Sequence, residues 1–302
     1  MVDTVFENHP DAEVTFITHL PAEEPDREPL VGNNGKHMVL FPPFPQSQGF
    51  HCFHPKLILI RFQDRLRVVI SSSNLMEEDW TRWSQCVWMQ VAFVSLSHDQ
   101  DFFSVSEGES KVAEKKLDLE FRTRLIQFLR QCSCPDDRVF NLLRGVCFKD
   151  VRVRLVTSVP NVYRKANMNE YGHLRLRTIL RSLDEYHASR DIPAQYPPIL
   201  SLCSSVGTPS ANWLHSILAS CHGGRSVPEK TTLDALVHMV YPTEQCVKES
   251  AIGADMAGSL ILHSKTYAAK SFPKKCLKRY KNVKGREGAL PHAKYCECSE
   301  GV

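Results

Sequence analysis

The sequence contains no run of about 18 apolar residues, the length that a membrane-spanning helix needs, so we expect no membrane span. Its first ten residues also lack the apolar stretch of a secretion signal and carry Asp3, Glu7 and His9 instead. The 11 cysteines show no disulfide-framework spacing, and an odd number cannot all pair. We therefore interpret them as reduced thiols of a cytosolic or nuclear protein.

A large excess of charge of either sign is absent too. The 37 Lys and Arg residues barely outnumber the 34 Asp and Glu residues, which gives a formal net charge of +3. So small an excess neither establishes nor excludes a polyanionic partner, because local patches matter more than the total charge. With 302 residues, of which 42% are apolar, the chain is long enough for one large hydrophobic core or two smaller cores.

The most informative stretch is a predicted β-hairpin that carries polar residues at its open end. Its two apolar strands are residues 57–60 and 66–70. His54 and Lys56 precede the first strand and are two residues apart, so they point to the same face of an extended chain. Asn74 follows the second strand and would return beside them. An imidazole, an ammonium and a carboxamide in one place indicate a site that binds and attacks a phosphate.

The rest of the chain alternates between predicted strands and predicted helices. Further strands are predicted at residues 12–20, 37–41, 85–91, 151–156, 199–203 and 236–240. Helices are predicted at residues 76–80, 117–132, 136–143 and 213–219, with a basic helix that ends near residue 183. This alternation predicts an α/β fold with two domains, residues 1–149 and 150–302.

A second motif, His292-Ala293-Lys294, repeats the spacing of His54-Pro55-Lys56 about 240 residues earlier. Two such motifs resemble those of the phospholipase D superfamily. Further blocks occur in the order found in the tyrosyl-DNA phosphodiesterase 1 family: residues 50–85, 172–176, 203–207, 241–242, 258–260 and 291–294. The chain is similar to that family from about residue 12 to residue 295.

The resemblance implies two pseudo-symmetric α/β/α sandwich halves, of which the second is incomplete. It also implies a metal-free phosphodiesterase without a cofactor. The implied reaction hydrolyses the bond between a DNA 3′-phosphate and the tyrosine of a stalled type I topoisomerase, or related 3′-blocked ends. The implied partner is DNA, single-stranded or at its 3′ ends, with a covalently attached topoisomerase I peptide. We expect a monomer that acts in DNA repair in the nucleus, without a membrane.

The resemblance also implies a role for each residue of the two motifs. His54 would be the nucleophile and form a phosphohistidine. His292 would protonate the leaving phenolate and then activate water as a base. Lys56, Lys294 and Asn74 would bind the non-bridging oxygens, and positioned donors of this kind contribute about 3 kcal/mol each in comparable sites.

Residues outside the motifs receive supporting roles from the same resemblance. Gln85 would hydrogen-bond the nucleophilic histidine and fix its tautomer. The residues implied to contact the substrate or the DNA are Phe50, Ser204, Ser205, Thr208 and Pro242.

The sequence departs from the family pattern after the second motif. Ten residues follow His292, whereas the family places a second Asn some twenty residues beyond this histidine, as Asn74 follows His54. We therefore expect a chain truncated at both ends. One alternative function is then a catalytically weak or inactive homologue that binds DNA ends.

A different phospholipase D nuclease or lipid phosphodiesterase is the other alternative. Those members usually carry an Asp a few residues after the motif lysine, and Ile60 and Arg61 stand there in this sequence. The missing Asp favours the tyrosyl-DNA phosphodiesterase pattern.

Three local alternatives stay open. His263 and Lys265 repeat the histidine–lysine spacing and compete with His292 for the second motif, although Pro291 before His292 favours the latter. Cys296 and Cys298 could form a metal site with His292, which the unusual spacing disfavours. The basic segment 274–281 suits phosphate binding, nuclear import or an ordinary solvated surface.

Overall fold

The computed structural model describes residues 2–19, 27–42, 52–95, 112–187, 197–225, 231–282 and 284–298. The chain divides into two compact units. The first unit comprises Met1–Ile70 and Trp88–Tyr171, and the second comprises Ser71–Val87 and Gly172–Val302. The boundary predicted near residue 149 lies inside the first unit, and the segment Ser71–Val87 belongs with the second.

The described residues form the following elements. The helices are α1 (Val2–Asn8), α2 (Glu77–Thr81), α3 (Val112–Gln131), α4 (Asp136–Leu143), α5 (Gly172–His187), α6 (Ala211–Cys221), α7 (Leu233–Leu236), α8 (Glu244–Lys248) and α9 (Ser264–Ala268). The strands are β1 (Val14–Ile17), β2 (Leu30–Gly32), β3 (His37–Leu40), β4 (Leu57–Arg61), β5 (Arg65–Ser71), β6 (Trp83–Ser84), β7 (Val87–Phe93), β8 (Ile199–Leu202), β9 (Val237–Tyr241), β10 (Leu277–Arg279), β11 (Leu290–Pro291) and β12 (Tyr295–Cys298). Short 3₁₀ turns occur at Asn33–Gly35, Lys165–Glu170 and Lys274–Cys276.

The first unit contains two small sheets and a helical layer. One sheet has the order β1-β3-β2 and the other the order β4-β5-β7. The predicted hairpin is confirmed, because β4 and β5 pair antiparallel with Leu57 opposite Ile70. Phe121, Leu125 and Phe128 line one face of α3 at helical spacing and pack with Leu66 of β5 in the main hydrophobic core.

A buried guanidinium ties α4 to the first sheet. Arg138 is 8% exposed and donates hydrogen bonds to Thr15 Oγ1 at 2.6 Å, to the Val14 carbonyl at 3.3 Å and to the Gly35 carbonyl. A carboxylate oxygen of Glu13 lies 3.7 Å from its Nε. Because a buried charge is stable only when its donors are satisfied, these contacts fix α4 against the β1–β3 pair.

The second unit is built on a four-stranded sheet of order β10-β9-β8-β12. Strands β8, β9 and β10 run parallel, and β12 runs antiparallel to β8. Ile199 and Val237 of this sheet pack against Leu214 and Leu218 of α6. A separate short parallel pair, β6 with β11, packs on a cluster that contains Trp83 and Leu290.

Most of the predicted elements, and the α/β class, are confirmed, with ends that differ by a few residues. The strand predicted at residues 151–156 is wrong, because that segment is irregular. Val151 donates its backbone N–H to the Phe148 carbonyl in a turn, while Val153 and Leu155 pack against the core. The apolar positions of this segment therefore reflect packing of Val151, Val153 and Leu155 against the core rather than pairing in a sheet. Among the described residues, no helix has both the length and the apolar composition of a membrane-crossing segment.

Two histidines of the second unit have pKa values below the ordinary value. Burial lowers the pKa of His173, and the neighbouring Arg177 guanidinium lowers it further. Burial also lowers the pKa of His238, and Lys278 adds to the effect. His173 Nδ1 lies 2.8 Å from Ser220 Oγ on α6, so this ring is part of the contact between α5 and α6.

The first prediction concerns the buried guanidinium. We expect Arg138→Met to lower the free energy of unfolding by about 2–4 kcal/mol, because it removes a buried charge and leaves carbonyl groups without donors. Arg130→Met is the matched control. Arg130 is exposed, and the ion pair that the structure shows for it is with the exposed Asp136. The control should change stability by about 0.5 kcal/mol or less. Urea unfolding measures both, and equal losses would contradict this role.

The second prediction concerns pH. Because the folded-state pKa of His173 lies below the unfolded value of about 6.5, the unfolded chain binds more protons as pH falls through that value. The free energy of unfolding should therefore decline below about pH 6.5, and His173→Gln should make the decline shallower. Urea titrations at several pH values measure the slope. His215→Gln, at an exposed position of α6, is the control, and an unchanged slope in His173→Gln would refute the prediction.

Candidate active site

The first motif lies in the first unit, immediately before β4. His54 is exposed, and the Lys56 ammonium lies 2.9 Å from its Nε2 and 3.1 Å from its Nδ1. The ammonium also donates to the His54 carbonyl at 3.2 Å. The two side chains therefore meet on one side of the chain, as their two-residue spacing predicts.

The second motif lies in the second unit and repeats this local arrangement. The Lys294 ammonium is 2.8 Å from Nε2 of His292 and donates to the His292 carbonyl at 3.0 Å. The surroundings differ, however, because His292 is only 3% exposed. The same spacing thus produces an exposed imidazole in one motif and a buried imidazole in the other.

The pairing of β6 with β11 places the His292 ring. The Ser84 carbonyl accepts the backbone N–H groups of both His292, at 2.9 Å, and Ala293, at 3.0 Å. The Trp83 ring meets the imidazole edge to face, with 5.7 Å between the ring centroids. The backbone bonds therefore hold the main chain of His292 in place, and the buried Trp83 ring packs against its imidazole.

The amide of Gln85 contacts this buried histidine. Its Nε2 and Oε1 lie 3.2 and 3.3 Å from Nδ1 of His292. Its orientation is set by the Ser72 hydroxyl, 2.7 Å from Oε1, and by the backbone carbonyl of Asp79, 3.0 Å from Nε2. Gln85 therefore contacts the second motif histidine, and its expected support of the nucleophilic His54 stays a prediction. Gln85 directly follows β6, so the β6–β11 pair carries it to His292.

Asp79 is a site residue that the sequence analysis missed. It lies on α2, is 5% exposed, and its Oδ2 accepts the backbone N–H and the Nδ2–H of Asn74, each at 2.7 Å. The same oxygen is 3.5 Å from Nδ1 of His292. The sequence signal for it is an acidic residue five positions after Asn74, inside the family-like block at residues 50–85. Asn74 is held further by Trp80, whose Nε1 donates to the Asn74 carbonyl at 2.8 Å.

The residues predicted to contact DNA differ in exposure. Ser205 and Thr208 are exposed, whereas Ser204 and Pro242 are buried. The Ser204 carbonyl accepts a backbone hydrogen bond at 2.9 Å and helps to shape the loop. Phe50 lies outside the described residues. The geometry therefore leaves Ser205 and Thr208 accessible to a ligand, and the DNA-binding role itself stays a prediction.

The competing motif at His263 has a different local structure. His263 is the N-cap of α9, and Lys265 lies in the first turn of that helix. His54 and His292, by contrast, each precede a strand that begins within three residues. His292 also has the contacts of Asp79 and Gln85 described above. The structure thus favours His292 over His263 as the second motif histidine.

A metal site is not evident in the part of the chain that the structure describes. Within those ranges, no group of three or more His, Cys, Asp or Glu side chains is placed to hold a metal ion. Burial raises the pKa of Cys132 to about 12 and that of Cys134 to about 11, so these thiols are protonated near neutral pH.

Two histidine–lysine pairs on an α/β framework define a protein of the phospholipase D class. The tyrosyl-DNA phosphodiesterase family model matches residues 2–301, so this chain belongs to the tyrosyl-DNA phosphodiesterase family. The comparisons confirm the family that the sequence blocks indicate.

Curated relatives extend beyond the matched region. Tyrosyl-DNA phosphodiesterase 1 of Arabidopsis thaliana is 31% identical over 271 residues, which are 84% of this chain and 40% of that protein. The Drosophila melanogaster tyrosyl-DNA phosphodiesterase 1 is 26% identical over 254 residues, which are 81% of this chain and 41% of that protein. The chain thus spans about two fifths of the length of these relatives.

A solved structure confirms the fold. The yeast tyrosyl-DNA phosphodiesterase superposes with a TM-score of 0.61 at 19% identity, covering 86% of this chain and 61% of that chain. The expected phospholipase D type of α/β fold is therefore correct.

Proposed function

We propose that this chain is a DNA-repair phosphodiesterase that hydrolyses the bond between a DNA 3′-phosphate and a tyrosine, or related 3′-blocked ends. The observation that carries the proposal is the environment of His292. One ring nitrogen faces the Lys294 ammonium, and the other faces the Asp79 carboxylate and the Gln85 amide. A buried imidazole with such partners suits proton transfer next to an anionic phosphate. Family membership supports the same reaction.

The first step forms a covalent intermediate. His54 attacks the phosphorus, so a phosphorus–nitrogen bond forms while the bond to the tyrosyl oxygen breaks. His292 gives its proton to the leaving phenolate oxygen. The ammonium groups of Lys56 and Lys294 offset the charge of the phosphate oxygens, which lowers the barrier for attack on an anion.

The second step releases the 3′-phosphate. His292, now neutral, takes a proton from water, and the water oxygen attacks the phosphorus. The phosphorus–nitrogen bond breaks and frees His54. The Lys294 ammonium bonds the His292 ring, and we expect a bound phosphate to draw it away and free Nε2 for these transfers.

The proposal extends to the partner and the compartment. We propose DNA 3′ ends that carry a topoisomerase I peptide as the partner, the nucleus as the compartment, and a monomer as the active form. Support comes from the curated relatives, which are named for tyrosyl-DNA substrates, and from the exposed Ser205 and Thr208 in the loop after β8. Expression of a fluorescent fusion and light scattering of the purified chain test the compartment and the oligomeric state.

The third prediction is hydrolysis without a metal. We expect the chain to convert a 3′-phosphotyrosyl oligonucleotide to the 3′-phosphate in the presence of EDTA, as measured by gel shift of the labelled strand. His54→Ala should abolish turnover, because no other nucleophile forms the intermediate. The variant changes an exposed side chain and should bind the oligonucleotide as the wild type does. Activity that disappears with EDTA, or that survives in His54→Ala, would refute the mechanism.

The fourth prediction separates the two steps. With a nitrophenyl ester in place of the tyrosyl ester, the leaving group needs no proton, so His292→Gln should still form the phosphohistidine and then stall. We expect a covalent protein–DNA adduct on a denaturing gel, with turnover lowered by about 10²-fold or more. His263→Gln is the control for the competing motif and should turn over normally. Accumulation of the adduct in His263→Gln rather than in His292→Gln would assign the role to His263.

A further inference from the structure

The buried carboxylate of Asp79 has no part in the two-step reaction as described. We propose that Asp79 is a positioning residue, which orients the Asn74 carboxamide and keeps the proton of neutral His292 on Nδ1. The inference rests on the proposed function, because that reaction gives His292 its acid–base task. The tautomer of His292 depends on which neighbours of the imidazole can donate a hydrogen bond and which can only accept one.

Lys294 constrains the tautomer of His292 through a direct contact with the ring. Its ammonium is 2.8 Å from Nε2, and an ammonium has three donors and no acceptor. Nε2 must therefore accept the hydrogen bond, which puts the proton of the neutral ring on Nδ1. This constraint ends when the ammonium moves to a phosphate oxygen, so a second group must hold the tautomer during the reaction.

Gln85 cannot be that group. The backbone carbonyl of Asp79 accepts only, so the amide atom 3.0 Å from it is the nitrogen, which fixes the orientation of the amide. In this orientation the amide nitrogen is 3.2 Å and the amide oxygen 3.3 Å from Nδ1 of His292. An amide that offers a donor and an acceptor at equal distance bonds either tautomer.

The Asp79 carboxylate differs because it only accepts. Its Oδ2 is 3.5 Å from Nδ1 of His292, and the two side chains are 8% and 4% exposed. In so dry an environment an anion favours a proton on the facing nitrogen more strongly than it would in water. Nε2 then carries the lone pair that a base needs, and the carboxylate also stabilises the imidazolium that acts as the acid.

The same carboxylate oxygen fixes Asn74. It accepts the backbone N–H and the Nδ2–H of Asn74, each at 2.7 Å. The carboxamide atom that faces an anion must be the nitrogen, so the amide cannot flip. The second hydrogen of Nδ2 points away from Asp79 and is the one that can donate to a phosphate oxygen. One buried acid thus orients a phosphate-binding amide and an acid–base imidazole.

Histidine NMR of the full chain tests the tautomer without requiring turnover. Two-bond ¹H–¹⁵N spectra at about pH 8, where an ordinary imidazole is neutral, identify the protonated nitrogen, and His292→Gln assigns the signal. Lys294→Met removes the ammonium, and we expect the Nδ1–H form to persist in this variant. The double variant Lys294→Met/Asp79→Asn should lose it and show the Nε2–H form or a mixture.

Either NMR arm can overturn the proposal. An Nε2–H ring in Lys294→Met, or a retained Nδ1–H ring in the double variant, would show that Asp79 does not hold the tautomer. The first of these variants changes an exposed side chain, so its result does not depend on the stability of the Asp79 variant.

Steady-state kinetics test whether Asp79 contributes to turnover. Asp79→Asn should lower kcat on a 3′-phosphotyrosyl oligonucleotide by about 10- to 100-fold while KM changes by less than about threefold, and Asp79→Glu should restore part of the loss. Glu77→Gln removes an exposed charge from the same helix and should leave kcat unchanged. An unchanged kcat in Asp79→Asn would overturn the proposal. A wild-type chain that hydrolyses nothing would refute the proposed function alone, and the NMR arms would still decide the role of Asp79.

Discussion

The second motif depends on a carboxylate that is buried next to an imidazole. Asp79 is stable in that position because Asn74 supplies two hydrogen bonds to one of its oxygens and His292 lies against the same oxygen. Taking a carboxylate out of water costs several kcal/mol unless such partners are present. The positions of Asn74 and His292 are therefore constrained as strictly as the position of Asp79. Asn74, Asp79 and His292 therefore have little freedom to change their relative positions when a ligand binds.

The two motifs share their local geometry but differ in their surroundings, and this difference bears on their roles. In each motif the lysine ammonium bonds the carbonyl and the ring of the histidine two residues before it. His54 is exposed, which suits its proposed role as the attacking group, whereas His292 is buried against Trp83 and Asp79. Burial suits a proton-transfer group because its partners, rather than water, then determine which nitrogen carries the proton.

The local pattern of apolar and polar residues predicts those features of the structure that are formed by residues close together in the sequence. The hairpin of β4 and β5 and the contact between His54 and Lys56 follow from the two-residue period of a strand. The contact between Gln85 and His292 could not be predicted in this way, because the two residues are 207 positions apart and are joined by two-residue strands. The same limit explains the error at residues 151–156, where the apolar positions reflect packing against the core and not backbone pairing.

The segment Ser71–Val87 divides the candidate site residues between the two units. It lies in sequence between strands β5 and β7 of the first unit, yet its residues belong to the second unit. The block that resembles one family motif is thereby divided, since His54 stands in one unit while Asn74 and Gln85 stand in the other. Neither unit alone contains the nucleophile, the carboxamide and the acid–base histidine of the proposed reaction. The groups of the proposed reaction are thus distributed over two units, each of which has its own hydrophobic core.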